Sequence, residues 1–277
     1  MGPDLELLGL GELALGPFDG SVFPIVAALL GLITGSFANV CIHRLPLGRS
    51  VVRPSSACPG CGRPIAWYDN VPLLSYLLLL GRCRGCGARI SPRYPLVEAA
   101  NGALYFALAW RLGATLETAV LMLFVTGLLV LTLIDLDHQL LPDVITLPGI
   151  ALGILASLIV PGWPVRPLTA VLSAAFGYLA LFAVASAYQK ARGVEGLGRG
   201  DWKMVAMLGA FLGWEKMLLT VFVASLAGTL VGLALMGLRG RSSQHALPLG
   251  TFLGAAALLV LFTGEPVIAW YRGMFDV

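Results

Sequence analysis

The chain has 277 residues, 58% of them apolar and only 12% charged, with a formal net charge of +3 and a mean hydropathy of +0.87. A soluble domain carries about a quarter charged residues, so this composition excludes an ordinary water-soluble enzyme and points to a membrane protein. The small net charge gives no ground for a nucleic-acid partner. The first 21 residues hold Asp4, Glu6, Glu12 and Asp19 without Lys or Arg, the opposite of a basic signal-peptide start.

A bilayer core of ~30 Å takes about 20 helical residues to cross. Apolar runs that meet or approach this length lie at 22–40, 95–110, 118–134, 144–160, 168–187, 217–238 and 246–263, with a shorter one at 202–214. The expected fold is an all-α polytopic membrane protein of about eight transmembrane helices. The run 71–80 is too short to cross and reads as an amphipathic or buried element of a loop domain.

Orientation follows from the basic residues. Arg44, Arg49, Arg53, Arg63, Arg82, Arg84, Arg89 and Arg93 crowd the stretch after the first apolar run, and Lys/Arg-rich loops stay in the cytoplasm. The expected organisation is therefore an external segment 1–21, a first span 22–40, a cytosolic zinc-binding domain 41–94, a helical membrane domain 95–263 and an external tail 264–277. Loops 135–143, 188–201 and 239–245 then also face the cytoplasm, and both chain ends lie outside.

Within 41–94, Cys58-Pro-Gly-Cys61 and Cys83-Arg-Gly-Cys86 form two Cys-x-x-Cys pairs separated by 21 residues. Paired thiolates of this kind close a tetrahedral zinc shell, and a cytoplasmic setting disfavours disulfides. The spacing is one residue longer than the usual ribbon range. Four sulfur ligands leave no open coordination position, so Cys58, Cys61, Cys83 and Cys86 should hold a structural Zn2+. Cys41, at the end of the first run, reads as a small apolar residue.

The third run stops at Asp135-Leu-Asp137-His-Gln-Leu-Leu-Pro-Asp143, and the Gly-rich segment Glu195-Gly-Leu-Gly-Arg-Gly-Asp201 opens the short run 202–214. Two crossings separate Asp135 from Asp201, which puts both on the cytoplasmic side. A run of 13 residues rises only ~20 Å as a helix, so the Gly-rich segment lies near hydrocarbon depth. An ionised carboxylate there is costly without a wet cavity or a partner. Paired aspartates support hydrolysis: one carboxyl keeps a proton and polarises the scissile carbonyl, and the other takes a proton from water. Read singly, each carboxylate could instead cap a helix, with Asp143 as the N-cap before Val144. No His-Glu-x-x-His or Gly-x-Ser-x-Gly motif competes.

These segments together resemble the bacterial type IV prepilin peptidases, membrane aspartic peptidases of the Gly-x-Gly-Asp class. The resemblance runs from Gly35-Ser-Phe-Ala-Asn-Val40 and His43-Arg-Leu-Pro46 through the double Cys-x-x-Cys, Asp69-Asn-Val-Pro72, Arg93-Tyr-Pro-Leu-Val-Glu98 and the Asp135–Asp143 segment to Gly198-x-Gly200-Asp201-x-Lys203. It implies Asp135 and Asp201 as the catalytic pair, with Asp137 as rival for the first role. Gly198, Gly200 and Lys203 would support the catalytic loop, and Glu98 or Asp137 would orient substrate. It further implies removal of the basic leader of type IV prepilins and type II secretion pseudopilins after a Gly. Methylation of the new amino terminus with S-adenosylmethionine follows from the resemblance alone, and no residue is assigned to the methyl donor. The implied location is the bacterial inner membrane. The alternatives from other classes are a proton-coupled transporter and a zinc-bearing membrane scaffold.

Overall fold

A computed structural model describes residues 22–194, 197–239 and 248–274. The expected external segment 1–21, most of the loop 239–245 and the last residues of the expected tail lie outside the described residues, as do Glu195 and Gly196. Among the described residues the chain is helical, with isolated bridges in place of strands. It divides into two compact units between Thr126 and Gly127.

The first unit is built on α1 (Val22–Arg44) and α3 (Arg93–Leu112). The face that α1 buries is Ala27, Gly31, Gly35, Ala38 and Ile42, spaced three or four residues apart as one helix face requires. A Cβ on Gly31 would stand 2.8 Å from the Gly102 Cα, and one on Gly35 2.9 Å from the Glu98 Cα. Small residues let membrane helices approach backbone to backbone and gain dispersion contacts that lipid cannot supply. The polar groups in this seam are satisfied. Asn101 donates to the Gly31 carbonyl and Thr34 Oγ1, both at 2.8 Å, and accepts from Thr126 Oγ1 at 2.9 Å.

Between these helices, residues 45–92 form a loop domain with two 3-10 turns, Leu45–Leu47 and Trp67–Asp69, and one short α-helix, α2 (Leu74–Leu78). Buried Glu98 fastens it to α3 by accepting the Leu73 N–H at 2.9 Å. Leu73 is held at φ 58, a left-handed conformation that apolar residues rarely adopt. Of the 71–80 run, Ser75 is buried while Leu74, Leu77, Leu78 and Leu80 are exposed.

The second unit gathers the end of α4 (Leu116–His138), α5 (Asp143–Ile159), α6 (Pro167–Arg192), α7 (Arg199–Arg239) and α8 (Leu249–Gly273). Gly213, at φ 75 and ψ 172, breaks α7 into limbs 199–212 and 214–239. The first limb is buried from Met204 to Leu212. Its neighbours close on it through small residues: a Cβ on Gly209 would stand 2.6 Å from the Ser173 carbonyl oxygen, and one on Gly153 2.8 Å from Phe211. A helix too short to span the hydrocarbon is thus sheathed by protein.

Five helices are long and apolar enough to cross a membrane by length and composition. α3 and the shorter α5 complete seven long helices among the described residues, and counting α7 as two limbs gives eight segments, the number expected. The last helix differs from its expected extent. It continues past the apolar run that ends at 263 as far as Gly273, where ion pairs Lys216–Glu265 and Glu215–Arg272 tie it to the second limb of α7.

Candidate active site and metal centre

The two Cys-x-x-Cys segments fold as matching knuckles. In the first, Cys58 N–H donates to the Arg63 carbonyl at 3.0 Å and Gly62 N–H to the Cys58 carbonyl at 2.8 Å. In the second, Cys83 N–H donates to the Ala88 carbonyl at 2.8 Å and Gly87 N–H to the Cys83 carbonyl at 2.9 Å. Gly62 and Gly87 take φ values of 69° and 72°, which a side chain would strain.

All four sulfurs lie within 4.8 Å of one another, and Cys58 Sγ stands 3.8 Å from Cys86 Sγ. A disulfide requires about 2.05 Å, whereas thiolates around one zinc at about 2.3 Å stand about 3.8 Å apart. The donor set and its spacing therefore fit a metal ion. The N–H groups of Cys86 and Gly85 draw the Cys83 thiol down to about 7, toward the thiolate that metals bind. Beside the knuckles, Arg84 grips Asp69 through Nε and Nη2 at 2.8–3.0 Å.

The carboxylates of the second unit occupy helix ends. Asp135 sits in the last turn of α4. The Gln139 N–H bonds back to its carbonyl at 2.9 Å, and Gln139 turns the chain out of the helix at φ 52. Asp201 sits in the first turn of α7, where its Oδ2 accepts the Gly198 N–H at 3.1 Å while its own N–H donates to the Gly198 carbonyl at 3.1 Å. That is one half of a capping box: the acidic residue at the third helical position accepts the N–H of the cap residue, and glycine has no side chain to return the bond. Gly198 therefore occupies the cap position, and the capping reading of Asp201 holds in this form alongside any chemical role.

Both carboxylates are buried, with relative exposures of 4% for Asp135 and 8% for Asp201. Leu141 packs between their surroundings: a Cβ on Gly200 would meet its Cβ at 2.8 Å, and a Cβ on Gly250 would meet its Cδ1 at 2.9 Å and the Asp135 Cγ at 2.9 Å. Among the described residues each aspartate accepts its protein hydrogen bonds through Oδ2. Among the described residues neither Oδ1 has a protein partner, so both remain for water or substrate.

Other expected residues fall elsewhere. Asp137 is exposed; two residues beyond Asp135 on a helix, it points to the opposite side. Asp143 is the first residue of α5 and not its N-cap, a position taken by Pro142. Proline locks the backbone there, and the Asp143 carboxylate instead receives Lys203 Nζ at 2.7 and 2.8 Å. Lys203 thus braces the entry of α7 against that of α5. Glu98 belongs to the first unit, where its carboxylate holds the loop at Leu73.

The start of α8 carries residues that the sequence reading passed over. Thr251 donates its N–H to Asp135 Oδ2 at 2.6 Å and its hydroxyl to the same oxygen at 3.1 Å. A polar residue near the start of an apolar run is a weak signal by itself. Nothing in the spacing ties it to an aspartate 116 positions away.

Residues 29–112 match the model of the bacterial peptidase A24 N-terminal domain, and residues 122–233 match that of the type IV leader peptidase family. Among curated relatives, the chain is 40% identical over 272 residues to a prepilin leader peptidase/N-methyltransferase of Pseudomonas aeruginosa, with 90% of this chain and 93% of the relative covered. It is 44% identical over 232 residues to one of Myxococcus xanthus, covering 84% of this chain and 69% of the relative. No solved structure matches. Motif order, helix count and matches across nearly the whole length agree: the chain belongs to the type IV leader peptidase family.

Proposed function

We propose that this multi-pass membrane protein is an aspartic endopeptidase that removes the basic leader of type IV prepilins and pseudopilins, and then N-methylates the new amino terminus. The observation that carries the peptidase reading is the burial of Asp135 and Asp201 together at two helix ends, each with its Oδ1 left to chemistry. Water between the two carboxyls gives a proton to the ionised one as its oxygen attacks the scissile carbonyl carbon. The protonated partner hydrogen-bonds to the carbonyl oxygen as negative charge develops there. Collapse of the tetrahedral intermediate breaks the C–N bond, and a carboxyl returns a proton to the departing amine.

Family membership supports the substrate and the paired activities, since curated relatives bear both in their names. The arrangement of the acids also speaks against a proton-coupled transporter, whose carboxylates would be spread along several spans at mid-depth. In the proposed topology the protein lies in the bacterial inner membrane with both chain ends outside. The domain 41–94 and the loops bearing Asp135 and Asp201 face the cytoplasm, where a prepilin presents its leader. Residues 95–263 form the peptidase domain.

Zn2+ is the metal proposed for Cys58, Cys61, Cys83 and Cys86. With four thiolates it would organise the loop domain and leave no position for substrate. S-adenosylmethionine would supply the methyl group, and its site is not assigned to residues. Mass spectrometry of a co-expressed prepilin tests the reading. The native chain should yield a shortened, methylated product, while Asp135→Asn and Asp201→Asn should leave the leader in place. Normal cleavage by either variant removes that residue from the mechanism.

A further inference from the structure

The Asp135 carboxylate is held from outside its own helix. α8 begins at Leu249 after Pro248, which supplies no side-chain cap. The first N–H groups of any helix lack internal partners and concentrate positive partial charge that favours an anion. Here the Thr251 N–H is satisfied at 2.6 Å by Asp135 Oδ2. The Thr251 hydroxyl sits between that oxygen at 3.1 Å and the Thr132 carbonyl, one turn back along α4, at 3.3 Å.

Two glycines permit the approach. A Cβ on Gly250 would press on the Asp135 Cγ and Oδ2, both at 2.9 Å, and one on Gly254 would overlap Thr132 Oγ1. The contact is one-sided, which gives it a chemical consequence. The Thr251 N–H bonds Oδ2, and the hydroxyl proton, shared with the Thr132 carbonyl, lies within reach of the same oxygen, so the carboxylate is restrained from that side and Oδ1 is presented in a fixed direction.

We propose that the first turn of α8 is the positioning element of the catalytic centre: Thr251 locks the orientation of the Asp135 carboxylate, and Gly250 leaves the space in which it sits. This rests on the reading of Asp135 as catalytic. Thr251 acts through Asp135 and does not touch substrate. Its loss should therefore lower turnover and leave substrate binding alone.

The test uses the full-length protein in detergent, with kcat and KM measured on a purified prepilin for Thr251→Val, Thr251→Ser, Gly250→Ala and Asp135→Asn. Valine keeps the branched shape and the N–H but removes the hydroxyl. A hydrogen bond to a charged group implies a fall in kcat of about 10-fold or more, with KM unchanged. Serine should recover most of the rate. Gly250→Ala displaces the carboxylate itself and should cost more than Thr251→Val. If Thr251→Val retains the native kcat, or if Thr251→Ser is as slow as Thr251→Val, the positioning role is overturned. An inactive Asp135→Asn beside a fully active Thr251→Val would refute this inference alone. An active Asp135→Asn would refute the peptidase assignment of Asp135 and, with it, this proposal.

Discussion

The two candidate centres of this chain are built by opposite means. Of the four cysteines Cys58 is buried, Cys83 half-buried and Cys61 and Cys86 exposed, and their knuckles are held by hydrogen bonds that each close within a few residues. The two aspartates lie buried at the ends of different helices, and the partner that grips Asp135 is 116 residues away. A knuckle is a local object. Its loop closes over a short stretch, and a metal completes it by joining two copies. The aspartate centre exists only when several long helices have packed, because each helix brings one part to a shared end.

Glycine shows the same contrast. At Gly62 and Gly87 the requirement is backbone conformation, and nothing lies within 4 Å of where a Cβ would be. At Gly153, Gly209 and Gly250 the backbone is ordinary helix and the requirement is space. The first kind of glycine can be replaced by a residue that tolerates left-handed backbone. The second cannot be replaced by anything with a side chain while its neighbours stay in place.

Four experiments distinguish a locally built centre from one built by helix packing. The largest effect belongs to the pair itself: Asp201→Asn should lower the single-turnover rate of prepilin cleavage by about 10³-fold or more, as loss of an essential acid–base group does. Its melting temperature should change little, because an asparagine side-chain oxygen can still accept the Gly198 N–H.

The next largest concerns the metal. Elemental analysis of the native protein should find about one metal ion per chain, and changing both Cys58→Ser and Cys86→Ser should abolish it. A structural zinc contributes about 10 kcal/mol or more to folding its site, so limited proteolysis should then cut within 45–92 and spare 127–194. Cleavage spread evenly over both regions would show that the two centres are not built independently.

Third, the glycines can be exchanged in parallel. Gly62→Ala should cost about 1–2 kcal/mol of left-handed strain, with Gly62→Asn recovering part of it. Gly209→Ala should cost about 1–3 kcal/mol by overpacking, and Gly209→Asn should be worse. Thermal melting of the four proteins in one detergent reads both series; equal behaviour of the two asparagine variants would refute the distinction.

The smallest effect is expected at Lys203. Its ion pair with Asp143 has side-chain exposures of 25% and 56%, and pairs open to solvent contribute about 0–1 kcal/mol. A double-mutant cycle with Lys203→Ala and Asp143→Ala should find a coupling no larger than that.

The legibility of each centre in the sequence follows from how it is made. The tetra-Cys site could be read from spacing, because ligands that meet through a tight turn must be neighbours in sequence. The positive φ at Gly62 and Gly87 bears out the turn that their position after each second Cys suggests. Parity leads to the expectation that Asp135 and Asp201 lie on one side, since an even number of crossings returns the chain to it. Parity gives a side and not a contact. It therefore could not separate Asp135 from Asp137, a choice made by which helix face points inward, nor assign Glu98 its hold on the Leu73 loop.

Composition, hydrophobic run lengths and cysteine spacing by themselves determined that this is a helical membrane protein carrying a metal-binding loop domain, because each of those properties acts over a short stretch of chain. Tertiary packing alone decided that Lys203 pairs with Asp143 and that the start of α8 supplies the donors to Asp135. Those outcomes depend on which helix ends arrive together, and the spacing of small residues along one helix does not say which helix will pack against it.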